Sequence, residues 1–302
     1  MNILTFGEPL LINYLSTPKI VSNCDSFFSL GGSEINTAVT LSNLGNQVYL
    51  LSVFPNNDLG NEFIEVIENL GINIKYVIKS EDDLIGSMYV KDNYVIYQRK
   101  HSAFSYIKNI NLEDLFLTNY NWVHLTGITP SLNNNCKKQW VMLLEKSLSL
   151  NLPVSIDFNY RPALCELNYL WNIIKPYISR LELFALSEKD LKDICKLEHI
   201  NIGECSLDKI MKLSCKFLGI KRMVICVKKL LLDGSQDRYS IMIYNNEIYK
   251  SEIKNHVPIE HIGGGDAYIG GLINGILKCN SNILDDADNF AIECQNSRGN
   301  FI

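Results

Sequence analysis

The chain predicts an α/β protein, with a mainly parallel central sheet covered by helices on both faces and a small β-rich sheet set into it. Three observations predict this. Short apolar strand patterns alternate with amphipathic helix patterns along most of the chain. Residues 72–99 break the alternation with three short β-rich runs. Glycine turns lead into helices twice, at "GGSEINTA" and at "GGGDAYIGG". With 302 residues, 47% of them apolar and 20% charged, the chain can build one large core.

The elements follow in order. "NILTFGE" is a short strand that stops at Gly7. "FFSLGGSEINTAVTLSNLGNQVYLLSVF" reads strand, glycine turn, helix, strand, with Ala38, Leu41 and Leu44 on one helical face and Gly45 as the stop. "GNEFIEVIENLGI" repeats the helix, with Phe63, Ile67 and Leu70 on one face and Gly71 as its stop. "INIKYVI", "IGSMYVKD" and "YVIYQRK" then form the β-rich insert, read as a small antiparallel sheet.

The alternation resumes with the strand "WVHLTGI", the helix "CKKQWVMLLEKSLSLNL", the strand "PVSIDFN", the helix "LNYLWNIIKPYI" and the strand "LELFALS". "SEKDLKDICKL" is a helix with a capping-box-like start at Ser187 and Asp190. "RMVICVK" is a strand, "YSIMIYNNEIYKSEI" a hairpin turning at "YNNE", and "DDADNFAIECQNS" the last helix. Such a sheet binds ligands at the carboxyl ends of its strands.

Composition excludes some classes. A net charge of −5 argues against a nucleic-acid surface. The nine cysteines are scattered, with no C-x-x-C pair, and read as free, mostly buried thiols of a reducing compartment. No apolar run is long enough to span a bilayer, and the N-terminus has no basic leader, so a cytoplasmic protein is expected.

Three stretches carry candidate chemistry. In "EHIGGGDAYIGGLINGIL" a helix should begin near Asp266. Its first N–H groups, with those of Gly264 and Gly265, have no partner inside the helix and offer a phosphate site. Asp266 can take a proton from an attacking hydroxyl, or simply cap the helix. The stretch is not a Walker A loop, because Gly271 and Leu272 stand where Lys and Ser or Thr belong. In "GGSEINTA", Asn36 faces a strand-end crevice and can bond sugar hydroxyls, or act as a polar cap. In "SIDFNYRP" a strand ends at Asp157, and Asn159, Tyr160 and Arg161 follow; Arg161 suits a carboxylate or phosphate, or plain solvent.

In this order the pieces resemble the ribokinase-like (PfkB) family of sugar kinases, whose usual late motif D-T-x-G-A-G-D reads "EHIGGGD" here. Within it, "FGEPL", "GGSEIN", "YQRKHSA", "LTGITPSL", "SIDFNYRPAL", "ALSEKDL" and "SRGN" are most similar to 2-keto-3-deoxygluconate kinases. The resemblance implies one ribokinase-like three-layer α/β/α domain over 1–302, with a β lid built from about 12–30 and 72–100.

It implies Asp266 as catalytic base and Gly263, Gly264 and Gly265 as anion hole, with Gly263 and Gly265 also in the nucleotide site. Gly32, Ser33, Glu34, Ile35 and Asn36 would line the sugar site, with Tyr89, Tyr97 and Arg99 from the lid, Arg161 and Asn300. Asn159, Lys228 and Gly234 would serve the nucleotide, and Glu260 is the candidate metal ligand. The implied cofactors are ATP and Mg²⁺, with a monovalent cation as a further candidate. The implied partners are a sugar or sugar acid, ATP and a second copy paired through the lid, with neither nucleic acid nor membrane.

The chain departs from the pattern at Glu260 for Asp, His261 for Thr, Gly264 for Ala and Asn300 for Asp, and "KKLLLDGSQ" lacks the first glycine of the G-x-x-G nucleotide loop. Two other readings stay open. One is a kinase of a neutral sugar or nucleoside. The other is a catalytically weak ligand-binding member of the fold.

Overall fold

The computed structural model describes residues 1–15, 26–81, 84–91 and 94–296. The expectation for Asn300 and part of that for the lid lie outside the described residues.

The large sheet is built on β1 (Asn2–Phe6), β4 (Gln47–Pro55), β9 (Trp122–Thr126), β10 (Val154–Asp157), β11 (Leu183–Ala185) and β12 (Arg222–Leu230), all parallel. β5 (Ile72–Asn73) and β6 (Val77–Ser80) also pair parallel with β4. At the other edge β13 (Gln236–Tyr244) runs antiparallel to β12 and carries β14 (Glu247–Lys250) and β15 (Lys254–His256). The order is β14-β13-β12-β11-β10-β9-β1-β4-β5, with β15 on β13 and β6 on β4. β4 and β9 lie on opposite sides of β1, so the order reverses there, which is where such sheets open a crevice.

Helices cover both faces. On one lie α1 (Ser33–Asn43) and α2 (Asp58–Asn69). The other carries α3 (Leu112–Leu115), α4 (Ile128–Leu132), α5 (Asn134–Ser149), α6 (Leu167–Ile174), α7 (Glu188–Leu197) and α8 (Leu207–Leu218). α9 (Gly264–Leu277) and α10 (Ile283–Gln295) return to the α1 face. Two apolar cores result, one on each face: one around Phe6, Leu125 and Trp140, the other around Ile3, Ile35 and Leu272, all buried.

Local chemistry sets the boundaries. The side chain of Asn57 accepts from Gly60 N–H to start α2. Ser187 Oγ accepts from Asp190 N–H and donates to its carboxylate at 2.7 Å, as the capping pattern foretold. Asn245 and Asn246 take the left-handed backbone, φ 50° and 67°, that a two-residue hairpin turn requires, so "YNNE" turns as expected.

A separate sheet holds β3 (Ser26–Gly31), β2 (Leu10–Leu15), β7 (Gly86–Lys91) and β8 (Tyr94–Gln98), in that order. It is two antiparallel hairpins joined by a parallel β2–β7 seam. The sequence reading needs correction here. "INIKYVI" forms β5 and β6 and extends the large sheet, because it runs beside β4 in parallel rather than folding back on the insert. Only β7 and β8 of the 72–100 segment belong to the small sheet.

Candidate active site

The strand ends at the order reversal deliver the site. β1 leads to Gly7 and Glu8, β9 to Thr126, Gly127 and Thr129, and β10 to Asp157 and Asn159. α1 and α9 begin beside them. Gly32, the residue before α1, has φ 122°, and a Cβ there would lie 2.3 Å from the carbonyl oxygen of Glu8. Only glycine lets the start of α1 press onto that backbone. Gly263, before α9, has φ 82° and offers no side-chain cap, so the first N–H groups of α9 have no capping side chain.

The two glycine turns meet at Asp266. Ser33 Oγ donates to Oδ1 and Asn36 Nδ2 donates to Oδ2, each at 2.6 Å. Thr37 Oγ1 donates to the carbonyl oxygen of Asp266 at 3.3 Å. Asn159 Nδ2 donates to Ser33 Oγ at 3.0 Å. Two side chains 230 and 233 positions away in the chain thus converge on one carboxylate. Desolvation pushes Asp266 up to about 6, opposed by the Ser33 and Asn36 hydrogen bonds and by the charges of Arg161 and Lys228.

Two more carboxyls crowd the same floor. Glu34 is 2% exposed, and its Oε1 accepts from Thr126 at 2.6 Å and from Thr129 at 3.0 Å. Burial pushes Glu34 from 4.5 to about 7, with Asp266 adding to the rise. Asp157 is likewise pushed from 3.8 to about 7 by burial and then by Asp266, while Arg161 pulls it down. His124 is wholly buried in β9, with Nδ1 2.9 Å from Ser155 Oγ, and burial holds its imidazole down to about 3. It is a neutral core group.

The raised carboxyls have a consequence for stability. Glu34 has a folded pKa above its unfolded one, so the stability it contributes is full below about pH 4.5 and is lost as pH rises through about 7. Glu34→Gln keeps an oxygen for Thr126 and Thr129 but no titrating group. Its melting temperature is expected to exceed that of the parent by a few degrees at pH 8, with the gap closing at pH 5, in scans across that range.

Other predicted site residues fall in different places. Arg99 follows β8 and is held by Glu8, whose other oxygen takes the Ser102 hydroxyl; Arg99 Nε donates to Glu8 Oε2 at 2.6 Å. Arg99 is therefore committed to a buried carboxylate, with its guanidinium also 5.7 Å from the centre of the Tyr97 ring. Register pairs Tyr97 with Met88, and Tyr89 with Ile96 and Asn13. Neighbours across a ladder share a face, so Tyr89 and Tyr97 lie on opposite faces of the small sheet and are not brought together. Arg161 is exposed at the mouth of the cleft.

The stretch after Lys228, expected to serve the nucleotide, is the turn of a hairpin arm. β12 runs on to Leu230 and pairs nine residues with β13, leaving Leu231–Ser235 as the turn. Asp233 Oδ1 accepts from the backbone and hydroxyl of Ser235, and Gly234 sits in the turn at φ 85°. Lys228 is an exposed ladder residue opposite Arg238. Glu260 turns back on its own chain, its Oε1 accepting from His261 N–H at 2.7 Å. Among the described residues no group of three or more His, Cys, Asp or Glu side chains has the arrangement of a metal site.

The departure at Gly264 has a physical reason. A Cβ there would come 2.7 Å from Cγ of Gln295, whose carbonyl oxygen also accepts from Ile259 and Glu260 N–H. The sequence reading gave no role to Glu8, Thr126, Thr129 or Asp157. Three of the four lie within the stretches "FGEPL" and "LTGITPSL", which is the signal that could have found them.

Residues 18–225 match the pfkB family of carbohydrate kinases. The chain is 23% identical over 288 residues to a 2-dehydro-3-deoxygluconokinase of Bacillus subtilis, covering 92% of this chain and 83% of that one. Its fold is that of a 2-dehydro-3-deoxygluconokinase of Thermotoga maritima, with TM-score 0.91 and 22% identity over 100% of this chain and 94% of the other. An uncharacterized sugar kinase from Pyrococcus horikoshii, solved in complex with ATP, has TM-score 0.77 and 18% identity over 99% of this chain and 94% of its own. With the family match spanning most of the chain and two glycine turns closing on Asp266, this chain belongs to the pfkB family of carbohydrate kinases.

Proposed function

We propose that the protein transfers the γ-phosphoryl group of ATP to a primary hydroxyl of a sugar acid, most closely 2-keto-3-deoxygluconate. The observation that carries this reading is a carboxylate at the start of α9, held by hydrogen bonds from Ser33 and Asn36 at 2.6 Å, which desolvation pushes up to about 6 against the charge of Arg161. Asp266 accepts the proton of the attacking hydroxyl, while the N–H groups of Gly264 and Gly265 and the α9 dipole hold charge on the transferring group. The kinship with 2-dehydro-3-deoxygluconokinases supports the sugar-acid class.

No three-ligand cluster is present among the described residues, but Mg²⁺ bound with a nucleotide needs only one or two carboxylates, and Asp157 offers one. Asp266 raises the proton affinity of both Glu34 and Asp157, and a hard dication with phosphate oxygens relieves such crowding. Asp157 would hold it together with the nucleotide, where it supplies neutralisation of phosphate charge. The arm at Leu231–Ser235 and Lys228 would flank the nucleotide. The small sheet would act as the lid, and its open edges β3 and β8, with exposed Phe27, Phe28 and Ile96, support pairing with a second copy. No helix among the described residues is long and apolar enough to cross a membrane.

The test is ADP release with 2-keto-3-deoxygluconate, fructose, ribose and adenosine, each with ATP and Mg²⁺. The sugar acid is expected to give the highest kcat/KM; a neutral sugar or adenosine in that place refutes the assignment. Arg161→Ala is expected to raise KM for the sugar acid by about 10- to 100-fold, the worth of one hydrogen bond between charged groups, and to change KM for fructose far less. Equal effects on both would show that Arg161 does not read a carboxylate.

A further inference from the structure

We infer that Gln295 is a positioning residue for phosphoryl transfer, an assignment that rests on the reading of Gly263–Gly265 as the anion hole. From the last turn of α10 it fixes the turn whose N–H groups meet the transferring group. Gly263 is left-handed at φ 82° and calls for glycine. Gly264 is not left-handed, so its backbone alone would admit a side chain. What excludes one is Gln295. A Cβ on Gly264 would lie 2.7 Å from Cγ, 2.9 Å from Cδ and 3.2 Å from Nε2 of that residue. The glutamine thus lies flat against the start of α9.

Gln295 is not free to swing aside. It is 1% exposed, and its Oε1, which can only accept, lies 3.0 Å from Nε2 of His256, so the ring donates to it. His256 ends β15 and is itself buried. The backbone of Gln295 makes a second hold. Its carbonyl oxygen accepts from Ile259 N–H at 2.8 Å and from Glu260 N–H at 3.1 Å. One residue therefore grips the segment between β15 and α9 before it, within it and at its end.

The place of Gln295 is set along the length of α10. A Cβ on Gly271 would lie 2.5 Å from Cδ2 of Phe290, and one on Gly275 would lie 3.1 Å from Cγ2 of Ile283. Gly264, Gly271 and Gly275 are seven and four residues apart and share one face of α9. Their partners run the opposite way along α10, and such close contact at three levels leaves that helix little room to slide. On another face of α9, a Cβ on Gly270 would lie 2.8 Å from Cβ of Thr40 in α1. α9 is thus braced twice. α1 orients Asp266 through Ser33 and Asn36, and α10 holds the turn before it through Gln295.

The experiment compares kcat, KM and backbone-amide hydrogen exchange in Gly264→Ala, Gln295→Ala and the double variant. In Gly264→Ala the new methyl meets the glutamine and displaces the turn. Its kcat is expected to fall by about 10- to 100-fold, the worth of a shift of about 1 Å at a reacting centre. Gln295→Ala alone removes the brace and is expected to lower kcat by about 10-fold, with KM for the sugar within about twofold. Added to Gly264→Ala it is expected to raise kcat by about 10-fold, because the methyl then fills the space that the glutamine left. A residue that only stabilised the fold would lower the melting temperature of Gln295→Ala and leave kcat unchanged. That result overturns the proposal, and so does a double variant no faster than Gly264→Ala. Hydrogen exchange needs no substrate, so it separates this proposal from the kinase reading. In ligand-free Gln295→Ala, exchange at Ile259 and Glu260 is expected to quicken by about 2- to 10-fold relative to the core amides of β9, the worth of one neutral hydrogen bond. Unchanged exchange there overturns the proposal. A parent that phosphorylates no sugar refutes the kinase reading and leaves the exchange result to decide.

Discussion

Asp266→Asn is expected to lower kcat by about 10²- to 10⁴-fold, the usual worth of a positioned general base. An amide keeps the volume of the carboxyl and can still accept from Ser33 or Asn36, so sugar and ATP binding should survive. The same substitution has an opposite sign for stability. The carboxyl is pushed up to about 6 and sits among Glu34 and Asp157, so at pH 8 the parent holds an unwelcome charge that the amide lacks. The melting temperature of Asp266→Asn at pH 8 should therefore equal or exceed that of the parent. A variant that is both less active and clearly less stable would mean that Asp266 chiefly ties α9 to α1 through Ser33 and Asn36. Near-normal turnover would remove it from the chemistry altogether.

Arg238→Met is expected to cost about 3–5 kcal/mol of folding stability, read from urea unfolding, because it leaves a carboxylate buried without its charge partner. Arg238 and Asp288 are both 0% exposed, and Arg238 Nε donates to Asp288 Oδ1 at 2.8 Å. Ser240 and Ser251 complete the carboxylate at 2.9 and 2.6 Å, and the guanidinium lies 5.1 Å from the centre of the Tyr268 ring. This knot ties α10 to β13 behind the glycines of α9. Arg238→Met combined with Asp288→Leu should recover part of the loss, since no charge then remains buried. A single variant that loses less than about 1 kcal/mol would show that water reaches Asp288.

The layered frame was legible because period and stop signals agree. Ala38 and Leu41 mark the buried face of α1 with Leu44 just past its end, and the turn at Asn245–Asn246 announces its own hairpin. β5 and β6 were misread because they are short and no helix separates them, so they look like the insert that follows. Their parallel pairing with β4 is set by the long-range sheet, which local pattern does not encode. The arm after Lys228 carried a legible Asp-Gly turn signal between two strand patterns, and the structure turns there between β12 and β13.

In the site, Asp266 and the glycines were legible from one stretch. The cluster with Glu34 and Asp157 was not, because parallel crossovers bring its members from α1, β10 and α9, far apart in sequence. Gln295 as the reason for Gly264 was equally out of reach, being a contact between two helix ends.

The Arg99–Glu8 pair fixes how the small sheet can move. It fastens the end of the sheet where β2 and β7 begin and β8 finishes, and a Cβ on Gly86 would come 2.7 Å from Glu8 Oε1. Any tilt against the large sheet must pivot at this tight corner, so the sheet is a lever with its fulcrum at Glu8. Five residues on, at Leu15 and Lys91, the lever arm is about 17 Å at roughly 3.4 Å per residue. A rotation of about 10° there sweeps the far end through about 3 Å, while side chains near Leu10 barely shift. Movement of the distal strand ends and stillness at the hinge thus follow from one buried ion pair.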